Sequence, residues 1–200
     1  MPRLAAALVA LVAWAGIAVQ FEATLGLTAS AGEAMWVILR YFTVLTNLLV
    51  ALVMTALALG RAVSPFVLGG VTVAIVLVGA VYMLLLRGLV ELSAGALLAD
   101  RLLHYAVPVL VPLYWLAFAP KGKLRWRDAF AWSLYPFAYL VYALVRGAFE
   151  GRYAYPFMDV AAIGYAQTVI NAVAIAAGFV AAGLALVGLD NMLASKRESH

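Results

Sequence analysis

Six stretches of mostly apolar residues divide this chain almost completely between them: Leu4–Leu27, Ala34–Leu59, Pro65–Leu86, Ser93–Ala119, Arg127–Phe149 and Ala161–Leu189. A membrane-spanning helix needs about 20 such residues at a rise of about 1.5 Å each. Every stretch meets that length, and the breaks between them are short enough for helical hairpins. Composition closes off the soluble alternative. Of the 200 residues, 68% are hydrophobic and only 11% are charged, against about 25% charged in soluble domains. A soluble chain of this size has too little interior to hide that much apolar surface. No window alternates with period two, which argues against a β-barrel. The expected fold class is therefore all-α: a polytopic membrane protein with six transmembrane helices, forming a single domain over residues 1–200.

The start of the chain, Met1-Pro2-Arg3 before an apolar run, imitates a signal peptide. The run continues past Phe21 to Leu27 without a small-x-small cleavage site, so a retained helix is expected. Placing the N-terminus inside puts Arg3, Arg61, Lys121, Lys123, Arg125, Arg127, Lys196 and Arg197 on the cytoplasmic side. Arg40, Arg87, Arg101, Arg146 and Arg152 then lie outside. Eight against five, with the dense cluster 121–127 inside, favours cytoplasmic termini by the positive-inside rule.

Polar groups within the spans are costly in lipid and mark protein-facing or functional positions. In the second span, Arg40, Thr43 and Asn47 are three and four residues apart and would share one face of a continuous helix. Such a stripe reads either as glue between helices or as a functional cluster. The fourth span carries His104, the one histidine inside an apolar run, one turn after Asp100 and one turn before Pro108. Pro108 cannot donate to the carbonyl four residues back, so a bend beside the histidine is expected. Asp100 could orient the ring or cap the helix. The fifth span spaces Trp132, Tyr135, Tyr139, Tyr142 and Arg146 along one face, a stripe that should face the bundle because buried Tyr hydroxyls need partners. Beyond it lies an aromatic outer loop ending in Asp159, and then Gln167 and Asn171 four residues apart.

All these groups fall in the outer half of the spans. The apolar inner half disfavours a pore or transporter, whose path would be polar near the midplane. An outward-opening pocket lined by Arg40, Thr43, Asn47, His104 and Arg146 is expected instead. The absence of cysteine excludes disulfides and thiol chemistry, and two histidines are too few for a multi-histidine metal site. No metal, cofactor or nucleic-acid partner is expected.

Several segments together carry a family resemblance: Arg40-Tyr-Phe-Thr-Val-Leu-Thr-Asn47, Leu103-His-Tyr-Ala-Val-Pro108 and Pro120-Lys-Gly-Lys-Leu-Arg-Trp126. Tyr135-Pro-Phe-Ala-Tyr-Leu-Val-Tyr-Ala-Leu-Val-Arg-Gly147 and Tyr153-Ala-Tyr-Pro-Phe-Met-Asp159 add to it. Over Arg40 to Asn171 the chain resembles the bacterial six-helix relatives of the androgen-induced membrane protein family. Eukaryotic members are threonine hydrolases that cleave fatty acid esters of hydroxy fatty acids. The resemblance implies Thr43 as nucleophile and His104 as its base, with Thr46 a nearby competitor, in the plasma membrane of a bacterium. Relatives often carry an acidic residue before the fourth-span tryptophan, where this chain has Tyr114-Trp115, a change expected to affect packing.

On chemical grounds, a threonine hydroxyl needs a base and the tetrahedral intermediate needs an oxyanion donor. Asn47 or a nearby cation could serve as that donor, with Asp100 in support. Arg40, Tyr139, Tyr142, Arg146, Asp159 and Asn171 could hold a lipid-like ester. The alternative is a non-catalytic membrane protein that binds a lipid or ligand in the same cavity.

Overall fold

The computed structural model describes residues 1–92 and 94–198, and every regular element among them is helical. In chain order these are α1 (Pro2–Leu25), α2 (Ala31–Ile38), α3 (Phe42–Ala58), α4 (Pro65–Val81), α5 (Ala94–Arg101), α6 (Val107–Phe118), α7 (Trp126–Trp132), α8 (Leu134–Glu150) and α9 (Val160–Glu198). A π turn, Tyr82–Leu86, extends α4, and a second, Leu102–Ala106, joins α5 to α6. Five helical stretches are long and apolar enough to cross a membrane, and the bent pair α2–α3 would make a sixth. Pro65–Leu86 coincides with the expected third span, and Gly95–Phe118 and Trp126–Glu150 match their expected counterparts within two residues. The last stretch runs further than expected, to Ser195. It also breaks near its start, where Gly164 adopts φ 78°, ψ 163°, a conformation closed to residues with a Cβ.

The second span differs from expectation. In place of one continuous helix over Ala34–Leu59, the chain breaks at residues 39–41 and turns by 96° between α2 and α3. Neither proline nor glycine marks the break in the sequence. Ser30 caps α2 by accepting from the Glu33 amide, and the extended Tyr41 (φ −93°, ψ 130°) starts α3.

The chain divides into two compact units, Met1–Pro120 and Lys121–His200. In the first, α1 packs along α3 and α5, while α4 lies against α3 and α6. The buried face of α1 is made of small residues, Ala6, Val9, Ala10, Ala13 and Gly16. Small faces of this kind let helix backbones approach closely where no hydrophobic force drives association. At Gly79 of α4, an added Cβ would lie 2.9 Å from the Pro108 Cβ and 3.7 Å from the His104 carbonyl oxygen. A glycine there allows α4 to lie directly against the proline that follows the second π turn.

In the second unit α7 packs on α9. The fully buried Asp190 accepts from the Lys123 and Leu124 amides at 2.8 and 3.0 Å, pinning the basic loop to α9.

Candidate active site

The break before α3 decides where Thr43 stands. Thr43 is the second residue of α3, in its first turn, and not two turns into a longer helix. A helix N-terminus carries about half a unit of positive charge and favours negative charge beside it. Thr43 and Asn47 remain one turn apart on the same helix, whereas Arg40 sits in the break and shares no helical face with them. Arg40 is buried nonetheless.

The partner of Thr43 comes from 61 residues further along. Its Oγ1 lies 3.2 Å from Nε2 of His104, in the π turn between α5 and α6. The other ring nitrogen, Nδ1, lies 2.9 Å from Oδ1 of Asp100. An ionised carboxylate only accepts, so the Nδ1–H points to Asp100 and the Nε2 lone pair faces the threonine hydroxyl. Tyr82, at the start of the first π turn, donates its hydroxyl to the second carboxylate oxygen of Asp100 at 2.8 Å. Its ring also stacks on the imidazole, with centroids 4.1 Å apart and planes within 16°. Thr43, Asp100 and Tyr82 thus hold three sides of one histidine.

The π turn that carries His104 follows from the sequence around it. The Val107 amide donates to the Leu102 carbonyl, five residues back. In that register the Leu103 carbonyl would take its bond from residue 108, which is a proline and has no N–H. Asn47 supplies what the helix lacks: its Nδ2 donates to the Leu103 carbonyl at 3.3 Å and to the Thr43 carbonyl at 2.9 Å. Both amide hydrogens are therefore spent on backbone carbonyls, and Asn47 is completely buried. This corrects its expected role. Asn47 is a strut that ties the threonine turn to the histidine turn, in place of an oxyanion donor lining a cavity. π turns inserted in α-helices occur frequently at functional sites, and here two of them meet across the His104–Tyr82 stack.

Thr46, the competing hydroxyl, is fully buried, and the hydroxyl facing His104 is that of Thr43. Tyr114 is buried with its ring 5.2 Å from Phe118, the packing role expected for it. Behind Asp100 an open cleft of about 910 Å³ is lined by Tyr82, Asp100, Tyr105, Arg87, Arg101 and Val109, among others.

The remaining expected site residues lie in the second unit and make contacts within it. Arg146 donates from Nε to Glu150 at 2.6 Å and from Nη1 to the Tyr142 hydroxyl at 2.7 Å. Its guanidinium also lies 5.9 Å from the centre of the Tyr142 ring. Arg146, one of the residues expected to hold a lipid-like ester, thus holds a carboxylate of its own helix. Tyr139 is buried, its ring 6.1 Å from that of Tyr142. Asp159 caps α9 by accepting from the Ala161 and Ala162 amides at 3.1 Å each. Asn171 donates to the Phe157 carbonyl at 2.8 Å and accepts from Gln167 at 2.9 Å, fastening the loop before α9 to that helix.

Tyr82 is the member of the site that sequence reasoning missed. Its signal was a single phenolic hydroxyl at the end of an otherwise apolar span, a group that requires a partner when buried. Among the described residues no three His, Asp or Glu side chains cluster as a metal site would need. Compared with protein-family models, curated proteins and solved structures, the chain matches none.

Proposed function

We propose that this chain is a multi-pass membrane hydrolase that cleaves lipid-like esters through Thr43, a distant bacterial relative of the androgen-induced membrane protein family. The observation that carries the reading is the relay Thr43 Oγ1–His104 Nε2, 3.2 Å, continued by His104 Nδ1–Asp100, 2.9 Å. Nucleophile, base and orienting carboxylate in hydrogen-bond reach of one another are the geometric signature of an activated hydroxyl. The local sequence resemblance around Thr43 and His104 points to the same pair.

In this reading the Thr43 oxygen attacks the ester carbonyl carbon while its proton passes to Nε2 of His104, and Asp100 stabilises the imidazolium. The N-terminal end of α3 favours the developing oxyanion, which forms beside its first turn. As the intermediate collapses, the C–O bond to the alcohol breaks and His104 returns the proton to the leaving oxygen, leaving acyl-Thr43. Water then bonds to the acyl carbon as His104 takes its proton, and the C–O bond to Thr43 breaks as that proton returns to Oγ1, releasing the acid and restoring the pair. Both termini lie in the cytoplasm of the host bacterium, and the site opens to the outer half of its plasma membrane. No cofactor takes part.

Labelling with a fluorophosphonate, which reacts only with an activated hydroxyl, tests the reading. Covalent modification mapped to Thr43 supports it. An unlabelled protein that still binds a lipid ester with intact Thr43 and His104 would establish the non-catalytic binding reading instead.

A further inference from the structure

We propose that Tyr82 is a positioning residue of this site, fixing the orientation and tautomer of His104 from two directions at once. The inference that this serves catalysis rests on the hydrolase reading; the inference about the ring does not.

Two independent contacts carry it. The Tyr82 hydroxyl occupies Asp100 Oδ2 at 2.8 Å, leaving Oδ1 to take the His104 Nδ1–H at 2.9 Å. A carboxylate on a helix surface can rotate about its own bonds. With one oxygen tied to a neighbouring helix, the other keeps a fixed direction toward the ring. The Tyr82 ring then covers one face of the imidazole at 4.1 Å and 16°, which opposes rotation about the Cβ–Cγ bond that would swing Nε2 away from Thr43. Tyr105 meets Tyr82 edge-on at 5.5 Å, limiting its movement in turn. Outer partners that hold metal-bound histidines in place change activity by about 10- to 100-fold when removed, and Tyr82, one step further out than Asp100, should act at the lower end of that range. Tyr82 and Asp100 both stand on the wall of the 910 Å³ cleft, so the hydroxyl–carboxylate contact lies at its edge.

The test compares Tyr82→Phe, which keeps the stacked ring and deletes the hydroxyl, with Asp100→Asn and the double variant. In detergent-solubilised protein, Tyr82→Phe should lower the maximal rate of fluorophosphonate labelling about tenfold with the probe's half-saturating concentration unchanged. In an Asp100→Asn background the same substitution should cost nothing further, because Tyr82 acts through Asp100. A multiplicative loss in the double variant would overturn the proposal, as would wild-type labelling by Tyr82→Phe.

A second readout does not depend on chemistry. The chain holds two histidines, His104 and His200, so ¹⁵N-histidine NMR of a His200→Gln protein reports His104 alone. The wild-type ring should show a single tautomer with a slowly exchanging Nδ1 proton, and Tyr82→Phe should speed that exchange at least tenfold. Unchanged exchange overturns the positioning role. If the wild type resists labelling while the exchange still responds to Tyr82→Phe, the hydrolase reading fails and the positioning of His104 stands.

Discussion

Thr43 Oγ1 and His104 Nε2 approach to 3.2 Å across 61 residues of sequence, and the contact joins the first turn of one helix to a π turn in another. Replacing either residue with alanine should abolish fluorophosphonate labelling and ester hydrolysis while the thermal unfolding profile persists. The double variant should be little worse than either single one, since nucleophile and base act as a unit. Thr46→Ala should leave labelling in place. Activity lost in Thr46→Ala and kept in Thr43→Ala would move the nucleophile by one turn.

Asp100 has both carboxylate oxygens engaged, one by Tyr82 and one by His104. Asp100→Asn presents an amide of the same shape that can turn an N–H toward Nδ1 and favour the opposite tautomer, placing the proton on Nε2. Labelling should fall by about two to four orders of magnitude with little change in Tm. A rate within threefold of wild type would remove Asp100 from the mechanism.

The carbonyl of Leu103 depends on Asn47 because proline occupies position 108. Asn47→Ala leaves that carbonyl orphaned in a dry interior, at a cost of about 1–3 kcal/mol. Thermal unfolding in detergent should show the loss, and Pro108→Ala, which restores a backbone donor, should recover part of it. An Asn47→Ala protein as stable as wild type would show that the strut carries no weight.

Gly79 lies where a Cβ would press on Pro108 at 2.9 Å. A rigid ring cannot swing aside as a flexible side-chain end would. Gly79→Ala should force α4 and α6 apart, at a cost of about 1–3 kcal/mol for overpacking, against which a better helix propensity returns about 1 kcal/mol. Because Tyr82 lies three residues further on in the same helical run, labelling should fall together with Tm. Full labelling with unchanged Tm would refute the close packing.

The proposed orientation, with both termini in the cytoplasm, predicts opposite accessibility for two cysteines introduced singly into this cysteine-free chain. A membrane-impermeant thiol reagent applied to intact cells should modify Arg152→Cys and spare Lys123→Cys. The reverse pattern would invert the topology.

How much of this was legible in the sequence differs from helix to helix. The span Pro65–Leu86 could be read to the residue because Ser64-Pro65 is a strong helix start and the apolar run ends at Arg87. The proline at 108 announced an irregular helix beside His104, and Asp100 one turn earlier was recognisable as its partner. Apolar length and helical spacing, both local properties of the chain, decide such features. The 96° break before Thr43 carries no local mark, since residues 39–41 contain neither proline nor glycine, and with it went the supposed stripe through Arg40. Only the tertiary structure decided which polar groups meet. It matched the Asn47 amide to an orphaned carbonyl 56 residues away and set Tyr82 against Asp100 and the imidazole. In an apolar interior every donor must find an acceptor, and sequence says that a partner is needed, whereas the packing of helices against one another determines which residue supplies it.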